Sequence, residues 1–409
     1  MDNKLDFDDS FYEFIENNKL KNIDNLALEN HGKTFSFDLN FALTQIKARQ
    51  KFSNKLPLFT LNKRNLFPTI ISGEQSTNEI ISQLHSVLVG EPKNILDMTA
   101  GLGIDSMTFA RSHKNVISLE IDSFKAKILE HNINNQNISN ISVLNKDCVD
   151  FINNTKEHFD IIFIDPARRD NDNKKVFKLQ DSLPNLIELL PELEKKADRI
   201  MVKCSPLLDI SQTVKDIKSI SKIYIVSLKG EVKELLVEID NKKGEKKPKG
   251  DAIIMEAIDL DQNSNLVSKF TYQSDESEAL ESRILYAEEK DIYENIYLYE
   301  PSAAIMKLAP WKIITAKYPG IKKLAPSSHL FIHEEYISDF PGRILKIEKI
   351  LKKNDRKSIN RLPVNIVSRN YPESAEAIRK KYNLKEGDKN FLYATSLREK
   401  KILLLAEKI

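Results

Sequence analysis

Only two cysteines, Cys148 and Cys204, occur in 409 residues. Two thiols cannot build a disulfide framework, and so sparing a use fits a reducing compartment. No apolar run approaches the ~18 residues that a membrane-spanning helix needs. The opening Met1-Asp-Asn-Lys-Leu-Asp6 is charged and mixed, unlike a secretory leader. A cytoplasmic protein that does not enter a membrane is expected. Neither sign of charge is in excess: 62 Lys and Arg stand against 60 Asp and Glu, a net +2. An anionic partner must then be met by local patches. The seven histidines, among them His329 and His333 near Glu334 and Glu335, lack a metal-ligand spacing, so no metal is expected. Internal repeats are absent, and the lysine-rich stretch at 241–250 is the one low-complexity tract. Hydrophobic residues make up 41% of the chain, ample for packed cores, and 409 residues exceed one typical core.

Against these absences stands Asn94-Ile-Leu-Asp97-Met-Thr-Ala-Gly101-Leu-Gly103-Ile-Asp105-Ser-Met107. A short apolar run ends in an acid, crosses a Gly-x-Gly turn and enters an amphipathic stretch carrying Met107, Phe109 and Ala110. That pattern reads as strand, turn and helix. Glycines at 101 and 103 permit a tight turn and close backbone approach to a ligand, beside the positive N-terminus of the helix. The turn should therefore cradle a nucleotide-like ligand. A dinucleotide fingerprint wants a third glycine where Ser106 stands, which disfavours NAD. The Asp97 carboxylate suits instead a ligand that carries an ammonium group. Val116-Ile-Ser-Leu-Glu120 reads as a second strand, ending in an acid placed to bind a ribose diol. Ile141-Ser-Val-Leu-Asn-Lys-Asp147 gives a third strand and Phe159-Asp-Ile-Ile-Phe-Ile-Asp165-Pro166 a fourth.

These four strand ends resemble motifs I to IV of the Rossmann-like S-adenosylmethionine-dependent methyltransferases. The resemblance implies an α/β fold: a Rossmann-like seven-stranded methyltransferase sheet over 86–260, behind an N-terminal helical region over 1–85. It implies that Asp97 and the Gly101/Gly103 turn hold the methionine part of S-adenosylmethionine, Glu120 the ribose hydroxyls and Asp147 the adenine amino group. Thr99, Ala100, Ile121, Cys148 and Asp165 complete the expected cofactor set. Gln75, in Glu74-Gln75-Ser76 ahead of motif I, is expected over the methionine end or in a plain capping role.

The expected catalytic residues are Asp165, Pro166 and Arg168. Amino-group methyltransferases carry Asp-Pro-Pro-aromatic here, the acid and a backbone carbonyl accepting the amine's hydrogens. Ala167 replaces the second proline and Arg168 the aromatic ring that would stack on a flipped base. The exchange argues against base-amine methylation, while Arg168 and Arg169 suit a phosphate-bearing substrate. Lys203-Cys204-Ser205-Pro206 follows the fifth strand, where uracil-5 RNA methyltransferases carry a nucleophilic cysteine in Cys-Asn-Pro. A buried structural thiol is the preferred reading of Cys204.

Elsewhere the periodicity predicts helices over the first 90 residues, one with Lys47, Arg49 and Lys51 on a basic face, and one opened by a Ser or Thr cap after Gly73 and running to Leu88. Val232-Lys-Glu-Leu-Leu-Val-Glu-Ile and Ala252-Ile-Ile-Met read as a hairpin with a lysine-loaded tip, and 262–278 as a polar linker. Beyond it, Tyr299-Glu-Pro-Ser-Ala-Ala-Ile-Met-Lys307, Lys323-Leu-Ala-Pro-Ser-Ser-His329-Leu and Phe340-Pro-Gly-Arg343 look like bacterial proteins that join a methyltransferase core to further domains. That resemblance implies a ferredoxin-like domain over 280–345 and a THUMP-like domain over 360–409, small α+β units. THUMP-like naming implies RNA by analogy only. The expected function is methyl transfer from S-adenosylmethionine to RNA, ribosomal or transfer. The alternatives are a non-catalytic RNA-binding or assembly factor that retains the cofactor fold, and an enzyme that methylates a small molecule or protein.

Overall fold

A computed structural model describes residues 7–167, 179–241, 252–280, 284–352, 355, 359–387 and 389–409. The chain divides into two compact units, Met1–Ser221 with Glu234–Lys246, and Lys222–Lys233 with Lys247–Ile409. Arg168 and Arg169, and the lysine tip from 242 to 250, lie outside the described residues. No helix among the described residues is long and apolar enough to cross a membrane.

The first unit begins with helices Asp9–Asn18, Ile23–Asn30, Leu39–Phe52, Pro57–Leu61, Ile70–Gln75 and Glu79–Leu88. Asp8, Asn22, Asp38, Thr69 and Asn78 cap five of them, each accepting a first-turn backbone N–H. Aromatic rings knit the helices together. Phe7 stacks on Phe11 at 4.6 Å, and Phe11 on Phe41 at 5.9 Å, around buried Ile15, Leu26 and Ile46. Two expectations change here. The cap before Leu88 is Asn78, after a break at Ser76. Arg49 does not sit on a solvated basic face: its guanidinium is buried and donates to the carbonyls of Thr60, Asn62, Lys63 and Asn65 at 2.8–3.3 Å. A loop with four inward carbonyls needs such a donor.

Next comes the sheet. Its strands are β1 (Asn94–Asp97), β2 (Asn115–Leu119), β3 (Ile141–Leu144), β4 (Phe159–Ile164), β5 (Ala197–Cys204), β6 (Ile220–Leu228) and β7 (Glu231–Asp240). In the first unit the order is β3-β2-β1-β4-β5-β7, parallel except for β7, which runs antiparallel to β5. Continuous apolar runs such as Ile161-Ile-Phe-Ile164 are what a parallel sheet covered on both faces requires. Chain order reverses between β1 and β4, so the loops leaving their carboxyl ends diverge and open a crevice.

The second unit continues with β8 (Ile254–Leu260) and β9 (Leu266–Gln273). Residues 252–255 do not form the expected hairpin with β7: β8 pairs parallel to β6 and antiparallel to β9. The expected linker at 262–278 holds β9 and the helix Ser274–Ala279. Alternation in Leu266-Val-Ser-Lys-Phe-Thr-Tyr-Gln273 is the strand signal that its polarity masked. After these come β10 (Tyr297–Pro301), β11 (Lys322–Lys323), β12 (Phe331–His333), β13 (Gly342–Ile350), β14 (Asn365–Ser368), β15 (Asn390–Leu397) and β16 (Lys400–Lys408). They form one seven-stranded sheet in the order β11-β12-β10-β13-β16-β15-β14. Alternate residues of β15 and β16 enter two separate cores: Phe391, Tyr393 and Leu404 in one, Leu392, Ala394 and Leu403 in the other.

Candidate active site

Asp97 ends β1 and is 2% exposed. Its carboxylate accepts from Thr99 N–H at 3.2 Å and from Ser106 Oγ at 2.5 Å, so the acid orders both sides of the turn that follows. Gly101 has φ +55 and Gly103 φ +80, where glycine is strongly favoured. A Cβ on Gly103 would stand 2.1 Å from Leu129 Cδ1, so Gly103 also lets the helix Ile104–Ser112 approach its neighbour. Ala100 N–H reaches Leu119 O at 3.0 Å and thereby ties the turn to β2. Thr99 Oγ1 accepts from Asp165 N–H at 2.7 Å. One threonine thus joins the loops after β1 and β4.

Burial pushes the Asp97 carboxyl up to about 7; the Ser106 hydroxyl opposes this, and Asp105 and Asp165 add to it. Beneath the turn lies a buried polar chain. Lys203, near the end of β5 and 6% exposed, donates to Asp165 Oδ2 at 2.6 Å and to Thr77 Oγ1 at 2.9 Å. Thr77 Oγ1 in turn bonds Asp105. Asp105 pairs with Nδ1 of fully buried His85 at 2.8 Å, and His85 Nε2 pairs with Glu234 on β7. Burial opposes the charge on His85, but Glu234 and Asp105 overcome it and hold the imidazolium well above its ordinary range. Burial likewise opposes the Lys203 ammonium, and Asp165, Glu234 and Asp105 outweigh it. Asp105 is the converse: burial raises it, and His85, Lys203 and Thr77 bring it down to about 2. His85 and Lys203 are therefore held as cations and Asp105 as a carboxylate between them.

Glu120, 8% exposed, follows β2; its Oε1 accepts from Asp122 N–H at 2.9 Å, and Asn145 braces its carbonyl at 2.8 Å. Ile121 is 68% exposed. Asp147 caps the helix Cys148–Asn154, its Oδ1 accepting from Val149 and Asp150 N–H at 2.7 and 3.0 Å. Burial pushes the Cys148 thiol up to about 11, which keeps it protonated. Cys204 is buried, with Sγ 3.8 Å from Val202 O. Gln75 is exposed at the end of its helix and Pro166 is buried.

Direct bonds join Asp97 to Thr99 and Thr99 to Asp165, and Gly103 N–H to Ala100 O within the turn that holds Gly101; Glu120 follows the adjacent strand. Sequence reasoning passed over Thr77, His85, Asp105, Lys203 and Glu234. Lysine inside Ile200-Met-Val-Lys-Cys204 and glutamate before Leu235-Leu-Val were the available signals, since a charge on a buried strand demands a partner. No group of three or more His, Cys, Asp or Glu that could hold a metal occurs among the described residues.

Comparison with known proteins follows the same division. Residues 53–197 match the family described as Conserved hypothetical protein 95, residues 297–341 a ferredoxin-like domain and residues 342–408 a THUMP domain-like unit. The last two share one sheet, since β10 pairs with β13. A crystal structure from Porphyromonas gingivalis W83, provisionally described as a methyltransferase, aligns over 98% of this chain and 99% of its own with a TM-score of 0.82 and 26% identity. An uncharacterised RNA methyltransferase of Mycoplasma mobile is 22% identical over 166 residues, 39% of this chain and 46% of that protein. Ribosomal RNA small subunit methyltransferase J of Francisella philomiragia is 38% identical over 81 residues, 18% of this chain and 34% of that protein. The chain thus spans less than half the length of either curated relative.

Proposed function

Starting from a class I methyltransferase fold with ferredoxin-like and THUMP-like parts appended, we propose that this chain transfers a methyl group from S-adenosylmethionine to RNA in the cytoplasm. The observation that carries the reading is the Asp97–Thr99–Asp165 linkage at the sheet's reversal point, where ligands of open α/β sheets bind. The residues present fit the cofactor. Asp97 is a buried acid whose carboxyl stands at about 7 with acidic neighbours, a setting that a cationic amino acid moiety relieves. The Gly101/Gly103 turn leaves backbone rather than side chains facing the ligand, and Glu120 would accept from ribose hydroxyls. Thr99, Ala100, Ile121, Asp147 and Cys148 would frame the rest, with Gln75 at the methionine end. Bound there, S-adenosylmethionine supplies an electrophilic methyl group.

The chain's own task is to aim the acceptor. Asp165 is held twice, at its N–H by Thr99 and at Oδ2 by Lys203, so its carboxylate has a fixed orientation. We read Asp165 as the group that accepts the acceptor's hydrogen bond, Pro166 as the rigid continuation of its loop, and Arg168 as a phosphate contact. The pairing with Lys203 at 2.6 Å fixes where the carboxylate points; its role is positioning. The names of the curated relatives support RNA as the acceptor.

The test is incorporation of radiolabelled methyl into RNA from cells that lack the protein. Wild-type protein should label it, and Asp165→Asn should lower kcat by about 10²-fold, the cost of a misplaced acceptor, while S-adenosylmethionine binding changes little. Labelling of protein or small molecules instead of RNA would overturn the substrate; labelling of none by wild-type protein would overturn the enzyme.

A further inference from the structure

The second unit holds a cluster that the proposed methyl transfer does not use. β11 ends at Lys323, which is 2% exposed. Its ammonium donates to Pro326 O at 2.7 Å and stands 4.7 Å from the centroid of the Trp311 ring. No carboxylate pairs with it among the described residues. Burial pulls this lysine down to about 8. A buried ammonium with one carbonyl and one ring as neighbours keeps donor capacity for a further partner.

Trp311 is the chain's one tryptophan, and the ring of His329 stacks on it at 5.0 Å and 21°. Both rings are partly exposed. His329 has φ +51, a backbone state uncommon outside glycine. The turn is imposed from outside: Ser328 Oγ bonds both Ala325 N–H and Ala325 O at 3.0 Å, and Leu324 N–H reaches Leu330 O at 2.9 Å. His329 Nδ1 is buried with no partner among the described residues. Burial first, then the charges of Lys323 and Arg369, lower the imidazole's affinity for a proton. Arg369 is braced by Glu300 at 2.7 Å, and Glu300 also holds Arg343 at 3.0 Å and the Tyr393 hydroxyl at 2.6 Å. Two arginines share one acid, and Lys323 has none among the described residues. Strained backbone, an orphaned ring nitrogen and surplus positive charge beside stacked aromatics are the parts of a site for a planar, anionic ligand.

We propose that Trp311, His329, Lys323 and Arg369 bind one unpaired nucleotide of an RNA strand, the base against the ring pair and the phosphate against the cations. The proposal deepens the RNA part of the proposed function and rests on it. The probe is built in, because Trp311 alone reports indole fluorescence. Full-length protein is titrated with single-stranded hexauridylate, uridine monophosphate, inorganic phosphate and a blunt RNA duplex. Hexauridylate should change the emission saturably, more tightly than the monophosphate, with the duplex and phosphate weakest. Lys323→Met, His329→Ala and Arg369→Gln, each checked for a cooperative melt, should each weaken hexauridylate binding about tenfold, the loss of one charge-assisted or stacking contact. Their affinity for S-adenosylmethionine should stay at the wild-type value. An emission that hexauridylate leaves unchanged, wild-type affinity in those variants that fold, or an equal response to inorganic phosphate would overturn the site. RNA that binds here without ever being methylated would instead count against the proposed reaction alone.

Discussion

Asp97 shows how one residue carries stability and function in opposition. Its carboxyl stands at about 7 when folded, against 3.8 for an ordinary aspartate. A carboxylate raised on folding stabilises fully below the unfolded value, and that contribution is lost as pH rises from about 4 through 7. Asp97→Asn removes the titration while keeping the shape. The variant should therefore melt higher than wild type at pH 8 and lose that advantage at pH 4, in a series of thermal melts. An advantage that does not grow with pH would show that Asp97 is not held against its charge. This acid was legible in the sequence because it ends an apolar strand before glycines. His85 and Lys203 were not, since their meaning lies in partners far along the chain: His85 meets Asp105 and Glu234, and Lys203 meets Asp165.

At the scale of elements, the turn between β1 and its helix makes two separable demands on its glycines. Gly101 needs only the left-handed conformation, with its nearest foreign atom 4.0 Å away, whereas Gly103 has both positive φ and Leu129 at 2.1 Å. Gly101→Ala should cost about 1–2 kcal/mol for the backbone alone. Gly103→Ala should cost about 1–3 kcal/mol beyond that from overpacking, so urea melts should rank the two with Gly103→Ala the weaker. Equal losses would mean that helix and neighbour part without penalty. The parallel strands could be read from the sequence because both faces are covered and the apolar runs are unbroken. The pairing of β8 could not. Val232 to Ile239 and Ala252 to Met255 look like hairpin partners by proximity, yet β8 takes β6 in parallel, a choice made by the sheet as a whole. Arg49 misled for a related reason: helical spacing placed it beside Lys47 and Lys51, while the carbonyls that claim it belong to the following loop.

For the whole molecule, a net charge of +2 over 409 residues leaves no general attraction for polyanions. Function has to reside in local sites, one at the sheet's reversal point in the first unit and one around Trp311 in the second. The central claim concerns the first, and calorimetric titration of the full chain with S-adenosylmethionine tests it most directly, with NAD as control ligand and Asp97→Ala and Glu120→Ala as variants. The account expects micromolar binding of S-adenosylmethionine, none of NAD, and a loss of about tenfold or more in each variant. Undiminished binding in both variants would contradict the assignment of these acids, and no binding by the wild-type protein would contradict the claim itself.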